Sequence, residues 1–153
     1  MDLPHLEALL APFPVTRFLA TRWGRRSLFV PGSTRKLVSL PRAEELGPEL
    51  GHPDDLVLEP RLAPARGDFA WRRETGHRLV LQLEGSEHWE VEAAPGGEEP
   101  PADGVQELLA PGDLLYLPPG TWHRSVALEP SRALTLAARP TRRNAQGERS
   151  PAR

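Results

Sequence analysis

From Leu56 onward the chain is cut into about eight short apolar or alternating runs, each closed by proline, glycine or charge: "LVLEP", "DFAWR", "HRLVLQLEG", "HWEVEA", "VQELLA", "DLLYLPP", "SVALEP" and "RALTLAA". Runs this short are too brief for helices to bury a face, and their alternation has the period of a strand. Many short strands at this spacing predict a mainly β domain, a sandwich or barrel of antiparallel sheets. "AAPGGEEPPADG", residues 93–104, separates two of the runs and reads as an exposed, mobile loop.

The first third has a different texture. "LEALLA" (Leu6 to Ala11) and "VTRFLATRW" have helical spacing, the second placing Val15, Phe18, Leu19 and Trp23 on one side before Gly24. "RSLFVPGS" predicts a strand entering a Pro-Gly turn, and "PRAEELGPEL" a helix with Pro41 at its start and Gly47 and Pro48 near its end. The expected organisation is one domain over 1–140, with a helical part at 1–50 and a barrel at 55–140. The polar tail 141–153 has nothing larger than alanine to anchor it and is expected to be disordered.

Composition narrows the function. The 153 residues carry a formal net charge of −2, with both signs interspersed, which argues against nucleic acid or an acidic membrane as partner. No cysteine is present, so thiol nucleophiles, zinc thiolates and disulfides are excluded. "MDLPHLEALLAPFPV" lacks the pattern of a signal peptide and no run approaches a membrane span, so a soluble cytoplasmic protein is expected. Lys36 is the sole lysine among many arginines, a compositional bias and not a phosphate-binding device.

"VLQLEGSEHWEVE" (Val80 to Glu92) followed by "APGDLLYLPPGTWHRSVAL" (Ala110 to Leu128) resembles the JmjC-type cupin family, in particular the bacterial cupin-like proteins related to ribosomal oxygenases. "TRFLATRWGRRSLFVPG" and "ELGHPDDLVLEPRLAP" resemble the same family's N-terminal helix, first strand and lead-in, so the likeness covers nearly all of Val15 to Pro140. It implies a double-stranded β-helix, or jelly roll, with short N-terminal helices. It also implies Fe(II) and 2-oxoglutarate in the open end, and hydroxylation of a protein side chain. A homodimer through edge strands or the N-terminal segment is a further expectation of the resemblance.

Iron of this kind needs two histidines and one carboxylate, with positions left open for co-substrate and oxygen. His123, in "PPGTWH", fits the distant histidine. Counted back from "LQLEG" by the family's spacing, the other two ligands fall on Arg72 and Glu74. Arginine has no lone pair to offer a metal. His77 is an odd number of residues from both and would face away on a regular strand; "HPD" at His52 to Asp54 matches a His-x-Asp pair on paper but lies too far upstream. The basic residue expected two positions after the glycine of "LQLEG", where it would pair with 2-oxoglutarate, is replaced by Glu87. A carboxylate facing that carboxylate carries a penalty on the order of several kcal/mol in a partly dry pocket.

The expected picture is an Arg72–Glu74 ion pair beside His123 at the barrel mouth, with no cofactor and no metal. The favoured reading is a non-catalytic cupin that binds a protein or peptide partner through this mouth. The alternatives are an active Fe(II)/2-oxoglutarate hydroxylase using Glu74, His123 and His77, and a metal-free cupin with Glu74 and His123 as acid and base. Trp122, in the turn before His123, is evenly balanced between rim packing and partner contact, whereas Tyr116 and Trp89 read as packing. Asp113 reads as a turn residue bonded to nearby backbone. Gly96 and Gly97 lack a phosphate-cradle pattern.

Overall fold

The computed structural model describes residues 2–32, 34–38, 40–51 and 56–138; the "HPD" triplet and the 141–153 tail lie outside the described residues. Of three short helices, α1 (Pro4–Leu10) and α2 (Val15–Thr21) precede the first strand and α3 (Ala43–Glu49) lies between the first and second. The strands are β1 (Leu28–Val30), β2 (Leu56–Ala63), β3 (Asp68–Arg73), β4 (His77–Glu84), β5 (Glu87–Val91), β6 (Val105–Leu109), β7 (Leu114–Leu117), β8 (Trp122–Ala127) and β9 (Ser131–Ala138). The eight runs from Leu56 onward become β2 to β9, one strand each. A 3₁₀ segment at Thr34–Val38 has no counterpart in the sequence reading.

Two antiparallel sheets form, one in the order β1-β7-β4-β9-β2 and one in the order β3-β8-β5-β6. Pro60 is tolerated because β2 is an edge strand, where a missing N–H breaks no ladder on the open side. This is the jelly-roll architecture expected from the sequence.

Alternation along β4 and β7 divides the interior in two. Leu79, Leu81, Leu114 and Tyr116 point to one face, where Leu6, Leu10, Phe18 and Leu46 of the helices cover them. Val80, Leu115 and Leu117 point to the other, and pack against Trp89, Val91 and Leu109 between the sheets. Period two thus gives one apolar layer under the helices and one inside the barrel. Burying a leucine in either layer contributes on the order of 2 kcal/mol.

α1 is tied to α3 through its first turn. Glu49 accepts hydrogen bonds from the backbone N–H groups of His5 (3.2 Å) and Leu6 (2.8 Å), supplying the cap that the helix lacks locally. The His5 ring lies between Glu45 and Glu49.

Candidate functional site

Glu74 follows the end of β3 and is held by main-chain bonds on both sides. Its N–H donates to Thr121 O (3.0 Å), and its carbonyl accepts from Gly120 N (2.8 Å). The partner is the "PPGT" turn, in which Gly120 adopts φ of +84°, a conformation that favours glycine. The Thr121 hydroxyl closes that turn on Pro118 O at 2.7 Å. The turn leads directly into β8, so the same residues that clamp Glu74 present His123 beside it.

The side chains meet accordingly. Glu74 Oε1 lies 2.8 Å from His123 Nε2 and 2.7 Å from Arg78 Nε. Both carboxylate and imidazole are about nine-tenths buried. Burial alone would raise the Glu74 carboxyl, but the His123 hydrogen bond and the Arg78 charge outweigh it and hold it below its ordinary value. Glu74 is therefore ionised near neutrality and can only accept, which makes His123 Nε2 the donor.

The expected partnership of Arg72 with Glu74 is corrected here, since the guanidinium on Glu74 belongs to Arg78. Glu74 lies in the turn beyond β3, where the i, i+2 relation to Arg72 no longer fixes a common face. Arg78 sits on β4 in phase with Val80, which points between the sheets. Arg72 pairs in register with His123 and lines the same cavity, but is exposed.

His77 is likewise placed away from the mouth. It has the parity of Leu79 and Leu81, on the helix side. Its ring stacks on Trp23 with centroids 3.7 Å apart, and Nδ1 lies 2.7 Å from Tyr116 Oη. Tyr116 also accepts from Gly24 N at 2.8 Å. A register irregularity lies in β3, between Phe69 and Arg72, which face Ser125 and His123 on β8. That extra residue lets Phe69 and Arg72, three apart, both line the cavity.

Glu87 points inward, as the spacing required, and is wholly buried. The turn that delivers it is tight: a Cβ on Gly85, at φ +70°, would lie 2.2 Å from Pro130 O. Glu87 Oε2 accepts from Arg61 Nη1 of β2, and Arg61 Nη2 donates to Ser125 Oγ at 2.8 Å. The Arg61 guanidinium also lies over Phe69 (4.1 Å) and Trp89 (4.8 Å). Arg61 was not singled out in the sequence. Its signal was the alternation of "LVLEPRLA", misleading because Leu58 and Leu62, the natural inward candidates, are the exposed ones.

These groups surround a cavity of about 210 Å³ whose wall includes Arg61, Arg72, Glu74, Arg78, Trp89 and His123. Trp122 stands outside it, half-buried, its indole N–H donating to Gly97 O at 2.9 Å. The 93–104 loop is anchored there and at Gly104, whose N–H donates to Glu90 at 3.1 Å. Trp89 and Tyr116 are buried, and Asp113 bonds the N–H groups of Ala110 (2.9 Å) and Gly32 (2.8 Å). Among the described residues no cluster of three or more histidine, aspartate or glutamate side chains is arranged to hold a metal ion. No helix among them is long and apolar enough to cross a membrane.

No curated protein sequence matches the chain. The JmjC domain model matches residues 75–146. Among solved structures, E. coli ycfD aligns at 19% identity over 91% of this chain and 56% of that chain, with a TM-score of 0.63. Two structures of YcfD, a ribosomal oxygenase from Escherichia coli, each cover 82% of this chain and 35% of that one. The complex with cobalt and succinic acid has 24% identity and a TM-score of 0.56. The complex with cobalt and 2-oxoglutarate has 22% and 0.55. The chain therefore spans well under two thirds of these neighbours, and at such identities they speak for the fold alone. The chain thus matches the JmjC domain model over somewhat less than half of its length and shares its fold with these structures.

Proposed function

We propose that this chain is a non-catalytic JmjC-type cupin that binds a protein or peptide partner through the mouth of its barrel. The observation that carries this reading is the Glu74 carboxylate, already satisfied by His123 and Arg78. A facial triad needs three lone-pair donors turned toward one ion. Here the third place is taken by Arg72, His77 lies on the helix face, and the remaining carboxylate and imidazole are bonded to each other. This donor set does not fit iron. The place expected to receive the distal carboxylate of 2-oxoglutarate holds Glu87, and the Arg61 charge that offsets it is consumed in doing so.

The likeness to a ribosomal oxygenase supports a protein as the partner class. A hydroxylase reading would need a third ligand, which the described residues do not supply at this mouth. Isothermal titration of the metal-free protein with Mn(II), then with 2-oxoglutarate, tests the proposal. No saturable binding of either is expected; micromolar binding of both would overturn it.

A further inference from the structure

The chain has a single aspartate followed by glycine, Asp103–Gly104, at the end of the 93–104 loop. Asp103 is exposed, and Gly104 leads into β6, an edge strand that pairs with β5 alone. Packing requires the glycine. A Cβ at position 104 would lie 2.6 Å from Glu90 Cγ and 3.1 Å from both Glu90 Oε2 and Val91 O. The Glu90 side chain crosses the backbone where β6 begins, and only a residue without a Cβ leaves it room where it stands.

That requirement creates a chemical weakness. After aspartate, a residue's Cβ hinders the approach of its own amide nitrogen to the aspartate carboxyl, and glycine removes the hindrance. The Gly104 nitrogen can then close on Asp103 Cγ. An N–C bond forms, the carboxyl C–O bond breaks, and the hydroxyl leaves with the amide hydrogen as water. Water reopens the cyclic imide at either carbonyl. Opening one way restores aspartate; opening the other gives isoaspartate, with the backbone running through Cβ. No oxidant, reductant or cofactor is consumed.

Glu90 opposes this reaction. Its Oε2 accepts the Gly104 N–H at 3.1 Å, which fixes the nitrogen that would attack. Its Oε1 accepts from Arg124 Nε at 2.9 Å and Nη2 at 2.7 Å, and the Arg124 guanidinium lies over Trp71 at 4.7 Å. The Arg124 hydrogen bond holds the Glu90 carboxyl below its ordinary value, so it remains an acceptor at neutral pH. Ring closure must turn the peptide plane between residues 103 and 104, and the turn breaks a hydrogen bond to a charged group.

We propose that Asp103–Gly104 is a site of isoaspartate formation, restrained in the folded chain by the Glu90 carboxylate on the Gly104 N–H. The modified residue adds a carbon to the backbone where the loop joins the edge strand.

The full chain is aged at neutral pH beside a synthetic peptide spanning Pro100 to Gln106. Isoaspartate at position 103 is measured by electron-transfer fragmentation, which distinguishes it from aspartate of equal mass. The peptide is expected to convert, and the folded chain at least about tenfold more slowly. Glu90→Ala should bring the folded chain most of the way to the peptide rate. Arg124→Gln, which loosens the carboxylate but leaves Oε2 in place, should fall between. Arg124 is half exposed, so Arg124→Gln should fold normally. Amide protection along β5 shows whether Glu90→Ala folds, and if it does not, Arg124→Gln decides alone. Equal rates in folded chain and peptide, no isoaspartate in the peptide, or folded variants that age no faster than the native chain would overturn the proposal. Slower conversion in Glu90→Ala would also overturn it, marking Glu90 as the base that takes the Gly104 proton.

Discussion

Glu74 Oε1 accepts two hydrogen bonds at once, from His123 Nε2 at 2.8 Å and Arg78 Nε at 2.7 Å. The three side chains come from the turn after β3, from β8 and from β4, so this contact joins the two sheets at the barrel mouth. Removing the carboxylate leaves a buried imidazole and a half-buried guanidinium without their acceptor. Glu74→Ala is expected to lower stability by about 2–3 kcal/mol at neutral pH, measured by urea unfolding.

The same residue sets an acid dependence. The folded carboxyl is more acidic than its ordinary value of 4.5, so its contribution is complete above that value and is lost as pH falls through the lower folded one. The stability gap between the native protein and Glu74→Gln should therefore be constant near neutrality and shrink below pH 4.5. A gap that widens on acidification would contradict the assignment of Glu74 as the ion.

Arg61 and Glu87 form the second link across the barrel, between β2 and β5. Glu87 is wholly buried, so truncating either partner strands the other charge. Glu87→Ala and Arg61→Ala are each expected to cost about 3 kcal/mol or more, and the double variant less than their sum. Additive losses in a double-mutant cycle would show the two to be independent.

Tyr116 tests where His77 belongs. Its hydroxyl joins Gly24 N–H and the His77 ring under the helices. Tyr116→Phe is expected to cost about 1–2 kcal/mol while leaving the Trp89 indole resonance in place. Movement of Trp89 in that variant would place His77 in communication with the cavity.

His5, in α1, gives the opposite pH sign. Its hydrogen bond to Glu49, aided by the charges of Glu45 and Glu49, outweighs desolvation and raises it above its ordinary value of 6.5. The tie between α1 and α3 is then present in full below pH 6.5 and fades as pH rises through the raised value. Amide protection in α1, corrected for intrinsic exchange, should fall over that range in the native chain and stay level in His5→Ala.

Most of the fold was legible because its signals are local. Each strand from β2 to β9 is a short run with its own proline or glycine stop, and His123 and Glu74 could be placed from the "PPGTWH" and "LQLEG" stretches. What was not legible depends on closure of the barrel. Arg78 could be matched to Glu74 only once the turn after β3 was known to end the strand before Glu74. Arg61 and Glu87 lie on different sheets, and the leucines of β2 gave a stronger pattern than the charge that points inward. The β3 bulge, which brings Phe69 and Arg72 to one cavity, has no glycine to announce it.

The most direct test of the central claim is NMR of the His123 imidazole during titration with Mn(II), whose paramagnetism broadens any ring it coordinates. With Glu74 holding Nε2 and no third donor turned toward it, the His123 resonances should broaden no more than those of the half-buried His5 and His88. Saturable broadening confined to His123, abolished in Glu74→Ala, would mean that the mouth still binds a metal and that the reading of this barrel as non-catalytic is wrong.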